Sequence, residues 1–247
     1  MKLDRTLRGY VWSGLAYFVL LELMLAAAVL YWPSFSENTA ALKALAPLPV
    51  MREMLDQLAT EGVSAYVNGQ HFFKGCNTLG VAAAVLLAMN AVAGEAHRGT
   101  LELVLARPLS RRHVLLEKWA AGALATTLPV FLSSATIPWL LERVDEHMEF
   151  SWLMLASVHQ CSFLLVVYGV AFLASCLSSR PMWIAFTLLF VTTFEFSLYL
   201  VKGLTRFSIF ALVDIDDYVR IVNRDALDLR IVAPLLAQDE VHGVLYA

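Results

Sequence analysis

The chain carries little charge for its length. Of its 247 residues only 16% are Asp, Glu, Lys or Arg, and the formal net charge is −3. A protein that binds nucleic acid needs a basic excess to neutralise phosphates, so nucleic acid is a poor candidate partner. Disorder is excluded as well, because 59% of the residues are apolar, whereas soluble domains have about 45–50%. So apolar a chain is predicted to lie in a lipid bilayer.

Cysteines are scarce, and the common catalytic motifs are missing. Cys76, Cys161 and Cys176 are odd in number and lack CxxC spacing, so we expect buried reduced thiols and no metal site. No Gly-x-x-x-x-Gly-Lys-Ser/Thr sequence occurs, so the chain has no P-loop with which to bind ATP. It also contains no HExxH and no Gly-x-Ser-x-Gly sequence, which leaves catalysis with little support.

Long uncharged runs are abundant. Lys118 and Glu142 are separated by 23 uncharged residues, and Glu149 and Arg180 by 30. About 20 apolar residues in a helix cross a hydrocarbon core of ~30 Å. Runs of this length do not match the short alternating strands of a barrel, so the predicted fold is an all-α polytopic transmembrane helical bundle. One transmembrane domain over residues 1–247 is predicted, with five spans at about 9–32, 72–94, 117–141, 150–179 and 181–202.

Basic residues and tryptophans predict the orientation of the spans. All six tryptophans fall near span ends, as membrane interfaces favour. Nine Lys and Arg residues lie in the amino end, residues 95–118 and residues 178–181, and such density predicts the cytoplasmic side. The amino terminus is then cytoplasmic. An outer loop is predicted over 33–71, with a short interfacial helix from Val50 to Leu58, and an outer re-entrant or interfacial segment over 203–247. The first span is too long for a signal peptide, so we expect a retained helix.

The cytoplasmic connection 95–113, termed here the linking segment, contains residues that begin and end helices. Gly99 permits a turn, Thr100 can cap a helix that begins at the next residue, and Pro108 ends that helix. Ser110 is predicted to cap the helix of the third span. The result is a short amphipathic helix with basic flanks, lying flat on the membrane surface. One interpretation of such a helix is simple attachment to anionic headgroups.

The linking segment also resembles that of the permease subunits of type-2 ATP-binding cassette (ABC) exporters. The residues concerned are Glu95, Gly99-Thr100-Leu101, Pro108-Leu109-Ser110-Arg111 and Lys118, and the order of spans agrees over about residues 1–202. The resemblance implies a coupling helix that seats on a separate ATPase subunit, where ATP and Mg²⁺ bind. The contacts that it implies are Glu95, Arg98, Gly99, Thr100, Leu101, Glu102, Leu105, Arg107, Pro108 and Arg111.

The same resemblance implies assembly, location and a further span. It implies a second permease copy, in a homodimer or a heterodimer, and a bacterial cytoplasmic (inner) membrane. Members of the family usually have six spans, the last one following an outer re-entrant region like residues 203–240. Because only five spans are predicted here, we expect that the sequence is truncated before the sixth.

Two carboxylates lie inside predicted spans. Glu22 is near the middle of the first span and Glu195 is in the fifth, and a charge in the bilayer is costly enough to mark a functional candidate. His159 is a candidate partner for Glu195, although a height difference of about 9 Å requires a tilt or a water. These three residues outline a possible substrate path, with a structural role as the alternative. Two other functions stay open: an intramembrane enzyme that uses the same three residues, and a scaffold coupled to an ATPase without transport.

Overall fold

The structure, a computed structural model, describes residues 3–47, 49–102, 106, 110–201 and 203–224. No strand occurs in these ranges. The helices are α1 (Leu3–Leu45), α2 (Pro49–Val67), a π-helical segment (Asn68–Gly80), α3 (Val81–Ala91), α4 (Ala93–His97), α5 (Arg111–Leu141), α6 (Phe150–Leu177), α7 (Pro181–Tyr199) and α8 (Ile215–Arg224). Short 3₁₀ turns lie at Glu142–Val144, Thr205–Phe207 and Ile209–Val213.

Five helical stretches are long and apolar enough to cross a membrane, which confirms the predicted fold class. A charge-poor helix satisfies its own backbone hydrogen bonds, so it is the form that these sequences take in lipid. The stretches are Arg8–Leu45, Thr60–Ala91, Arg111–Val144, Phe150–Leu177 and Pro181–Tyr199.

In the region predicted as an outer loop, 33–71, every described residue except Ala46 and Pro47 is helical. α1 continues through Pro33 to Leu45, and α2 returns beside it to form a helical hairpin. Buried aromatic rings hold the hairpin: the ring centroids of Trp32 and Phe35 lie 4.9 and 4.7 Å from that of Tyr66. The Tyr66 hydroxyl also donates to the Ala28 carbonyl at 3.1 Å. Tertiary packing thus outweighs the helix-breaking tendency of Pro33.

The second candidate span begins at Thr60, twelve residues before the predicted start at 72. Its first part is kinked at Gly62, where φ is +66°. The part that follows is the π-helical segment, in which most side chains are buried although several are polar. These polar residues interrupt the apolar run in the sequence. The start of the second span was therefore predicted too late, at residue 72.

Two buried clusters form the core, one toward each end of the bundle. The end that carries Arg98, Arg111 and Arg180 is called here the basic end, and the other is called the hairpin end. Small residues on α3, including Ala84 and Ala88, are fully buried in the cluster at the basic end, and α3 packs on α6. A face without bulk allows this close approach of two helices.

The three cysteines are free thiols in different surroundings. Cys76 and Cys161 are buried, as predicted. Cys176 is exposed near the end of α6, so the prediction of burial was wrong for this residue. Its place on the outer side of a span explains the difference, since membership of a span does not determine which face a side chain occupies.

Candidate functional site at the basic end

The second span ends at a break that a hydroxyl group of another span stabilises. α3 stops at Ala91 and α4 starts at Ala93, and the φ of Val92 between them is −118°. The Ser175 hydroxyl of α6 accepts from the amides of Val92 and Ala93, at 3.2 and 3.0 Å, and donates to the Met89 carbonyl at 3.4 Å. In an unbroken helix Ala93 and Met89 would bond each other. Ser175 therefore replaces the lost backbone bond and sets the direction in which the chain leaves the span.

α4 ends in a glycine cap. Gly99 has φ +66°, and its amide donates to the Ala96 carbonyl at 3.1 Å. The Thr100 amide donates to the Glu95 carbonyl at 3.0 Å, which completes a Schellman motif. Only glycine adopts this φ without strain, so the predicted turn at Gly99 is confirmed. The Thr100 hydroxyl donates to the same Glu95 carbonyl at 3.3 Å, so this bond points back to α4 and not forward to the next helix.

A buried ion pair joins the two flanks of the linking segment. The Lys118 ammonium donates to Oε1 of Glu95 at 2.6 Å and to the Ala91 carbonyl at 3.0 Å. The Lys118 and Glu95 side chains are only 9% and 8% exposed. Among the described residues, the second oxygen of Glu95, Oε2, has no hydrogen-bond partner. Two charges held this far from water keep most of their attraction, so the pair fastens α4 to α5.

Close packing supports the lysine from the other side. The Tyr168 hydroxyl of α6 donates to the Lys118 carbonyl at 3.4 Å. Gly122, one turn further along α5, leaves room for this ring, because a Cβ added there would lie 2.1 Å from the Tyr168 hydroxyl oxygen. Tyr10 of α1 is buried in the same cluster. Residues of α1 and α6 thus pack together at the start of α5.

The linking segment presents charges of both signs at its surface. Arg98, Glu102 and Arg111 are exposed, and Leu101 is half-buried. The Ser110 hydroxyl accepts from the His113 amide at 3.2 Å, which confirms the predicted cap of the third span. Three residues of the predicted contact set, Leu105, Arg107 and Pro108, lie outside the described residues. What the structure describes is a charged surface fixed at each end to a span.

The candidates for a substrate path are not assembled into one site. Glu22 accepts a hydrogen bond from the Thr136 hydroxyl at 3.1 Å. Glu195 accepts from the Ile209 amide at 3.2 Å, and Nε2 of His159 lies 2.9 Å from the Leu212 carbonyl oxygen. The candidate pair of His159 and Glu195 is therefore absent from the described contacts, because each residue is used by the chain that follows α7. In the described residues no group of three His, Cys, Asp or Glu side chains could hold a metal ion.

Beyond α7 the chain folds back and α8 packs onto the hairpin end. Ile215, Tyr218 and Ile221 are its buried apolar residues. Asp214 accepts from the Tyr199 hydroxyl and from the Ile215 amide, which fixes the start of the helix. Burial raises the pKa of Asp214 above its ordinary value. Residues 203–224 are thus packed against the bundle, while 225–247, the rest of the predicted interfacial segment, lie outside the described residues.

Acidification from pH 7 to pH 5 is expected to strengthen the docking of α8. Burial raises the pKa of Asp217 from 3.8 to about 6, the Arg220 cation opposes this shift and Asp214 adds to it. Between these two values docked Asp217 binds more protons than undocked Asp217, so docking weakens as the pH rises through 6. Hydrogen exchange of residues 215–224, corrected for intrinsic rates, measures the effect. Asp217→Asn should reduce it, and the raised pKa of Asp214 accounts for what remains. Stronger protection at pH 7 than at pH 5 would contradict the assignment.

Ser175, Tyr168 and the pairing of Lys118 with Glu95 were missed in the sequence. Ser175 and Tyr168 are single polar residues in apolar helices, and nothing local distinguishes them from ordinary packing residues. Lys118 offered a usable signal for this pairing, because it is the eighth residue of a helix that then runs uncharged to Leu141. A charge at that depth needs a partner, and Glu95 is the acid that the preceding span supplies.

Taken together, the fold and this end define an all-α, multi-pass membrane protein whose second and third candidate spans are joined by a capped and ion-paired segment. A family model described as "ABC-2 family transporter protein" matches residues 8–224. The chain belongs to this family, so it is a membrane-spanning permease subunit of an ABC transporter. Comparisons with curated proteins and with solved structures gave no match.

Proposed function

We propose that the chain is the permease subunit of an exporter and that a separate ATPase subunit drives it by seating on the linking segment. The buried pair of Glu95 and Lys118 carries this proposal, because it fastens both flanks of the segment to the bundle. A force on the exposed surface between the two flanks then moves the second and third spans together, because the segment is not a flexible loop. Rigid-body movement of this kind is a common form of switching.

The remaining parts of the assembly follow from the same proposal. ATP and Mg²⁺ bind on the ATPase subunit, a second permease copy completes the pathway, and the basic end faces the cytoplasm of a bacterial cell. The density of Lys and Arg at that end supports the orientation. The intramembrane enzyme loses its support, because in the described contacts Glu22, His159 and Glu195 each bond different partners. A flux assay in vesicles separates transport from a scaffold that uses ATP without moving a substrate.

Reversing two charges of the linking segment is expected to abolish ATPase association. Glu102 and Arg111 are exposed, so Glu102→Arg combined with Arg111→Glu keeps the net charge and the fold but inverts the local pattern. Like charges placed opposite each other across an interface cost several kcal/mol, which lowers affinity by about a hundredfold or more. Co-purification with the cognate ATP-binding cassette protein, and stimulation of its ATP hydrolysis in lipid, measure the loss.

A matched control lies at the opposite end of the same span. Glu142→Arg combined with Arg143→Glu also exchanges one acid and one base at exposed positions, but in the short turn after α5. This control should retain both association and stimulation. If the variant of the linking segment retained them too, or if both double variants lost them equally, the coupling assignment would be wrong.

A further inference from the structure

The π-helical segment buries uncharged polar side chains that the coupling does not use. Asn68, His71 and Asn77 of this segment are at most 2% exposed, and they lie within the candidate span Thr60–Ala91. Neighbouring helices add polar groups that contact them. These residues are called here the polar cluster: Asn68, His71, Asn77, Ser134, Gln160 and Tyr218.

Part of the polar cluster is hydrogen-bonded internally. The Gln160 amide donates to Oδ1 of Asn77 at 2.9 Å, and the Tyr218 hydroxyl donates to the Gln160 carbonyl oxygen. Nε2 of His71 lies 3.0 Å from the Ser134 hydroxyl oxygen. These bonds connect the π-helical segment to α5, α6 and α8, so the cluster is held in place by four elements of the fold.

The rest of the cluster is not satisfied by the residues that the structure describes. Among the described residues, no hydrogen-bond partner exists for Nδ2 and Oδ1 of Asn68, Nδ1 of His71 or Nδ2 of Asn77. Buried polar atoms in native proteins are almost always paired, and in a membrane the cost of leaving them unpaired is higher. Four such atoms fall on one segment of 13 residues. Something other than the described chain is required to pair them.

The geometry of the segment places two of these side chains on one side. Hydrogen bonds of a π-helix join residues five apart, and each turn contains between four and five residues. Asn68, Phe72 and Asn77, which are spaced by four and five residues, therefore lie on one side of the segment. The Phe72 ring stacks on Tyr218 with centroids 5.0 Å apart, which shows that this side faces α8. π-Helical turns are rare and occur frequently at functional sites. Asn68 and Asn77 thus lie on the same side of the segment as the Phe72–Tyr218 ring pair.

We propose that the polar cluster binds an uncharged molecule through that molecule's hydroxyl or amide groups. The unpaired atoms are two amide nitrogens, one amide oxygen and one imidazole nitrogen, so they offer donors and acceptors but no fixed charge. A charged ligand buried there would lack an opposite charge, which is strongly unfavourable. The further interpretation that this ligand is the transported substrate rests on the function proposed above, whereas binding itself does not.

Cysteine labelling with three reagents of matched size tests the proposal. Ser134→Cys is nearly isosteric and places a thiol beside His71, and Asn68→Cys places one at the unpaired amide. The full chain in lipid vesicles, without any ATPase, is treated with hydroxyethyl, aminoethyl and sulfonatoethyl methanethiosulfonate, and modification is read by peptide mass. Comparison of reagents at one position cancels the reactivity of the thiol. We expect the hydroxyethyl reagent to react faster than either charged reagent by about tenfold or more.

Thr126→Cys is the matched control. Thr126 lies two turns before Ser134 on α5, is fully buried, and its hydroxyl donates to the Gly122 carbonyl at 2.8 Å. This position should stay unmodified while both cluster positions react. The proposal is overturned if Ser134→Cys and Asn68→Cys are as inert as Thr126→Cys, or if a charged reagent reacts with them as fast as the neutral one. Because no ATPase is present, these outcomes are independent of the coupling experiment.

Discussion

Lys118→Met is expected to lower the free energy of unfolding by about 3–5 kcal/mol, because it leaves the Glu95 carboxylate buried without its counterion. The described residues already provide no partner for Oε2 of Glu95, so the loss of Lys118 removes the one ion pair that this carboxylate has in that part of the chain. Thermal unfolding of the purified protein in mild detergent, followed by tryptophan fluorescence, measures the change.

Two comparisons make the Lys118 result specific. Lys43→Met removes an ion pair with Asp56 whose side chains are 45% and 55% exposed, and such a pair contributes at most about 1 kcal/mol. The double variant Glu95→Gln with Lys118→Met should be more stable than Lys118→Met alone, because no buried charge is left behind. If Lys118→Met were no more destabilising than Lys43→Met, the ion pair would not be a fixed connection between the spans.

Gly122→Ala is expected to destabilise the bundle by about 1–3 kcal/mol or more, through overpacking. The new methyl carbon would lie 2.1 Å from the hydroxyl oxygen of Tyr168 and 2.6 Å from the ring carbon that bears it. Tyr168 is fully buried, so its ring cannot move out into solvent to relieve the contact. Both the unfolding temperature and the yield of folded protein should fall.

Gly169→Ala provides the matched control for this substitution. Gly169 is the next residue after Tyr168 in α6, and a Cβ there meets no atom within 4 Å. Alanine favours a helix over glycine by about 1 kcal/mol, so this variant should be as stable as the parent protein or more stable. A similar loss in both variants would show that the close approach of α5 and α6 is not what Gly122 provides.

The spans were predictable because their signal is local. A helix in lipid has to be long and almost free of charge, and the runs after Lys118 and Glu149 meet this condition without reference to any other part of the chain. The hairpin of α1 and α2 was not predictable in the same way. Its helical state depends on contacts of Trp32 and Phe35 with Tyr66, more than thirty residues away, and local signals such as Pro33 point toward a loop.

In the candidate site, too, the residues that act locally were predictable and the residues that act across helices were not. Gly99 and Ser110 act on neighbours within a few residues, so their roles as turn and cap were predicted from spacing. Ser175 acts on a helix more than eighty residues earlier in the chain, and Lys118 on an acid 23 residues away. Such partners are set by how helices pack, which a single sequence does not encode in any short window. The polar cluster was missed for another reason, since Asn68 and His71 fell in the predicted loop.

The first helix is one uninterrupted rod of 43 residues. At about 1.5 Å per residue it extends over roughly 64 Å, about twice the depth of a hydrocarbon core. Tyr10 anchors it in the cluster at the basic end, and Trp32 and Phe35 anchor it in the other. Rotation of such a rod about its middle displaces both tips at once and in opposite senses. Under the function proposed above, a movement that begins at the basic end would reach the hairpin end through this single helix.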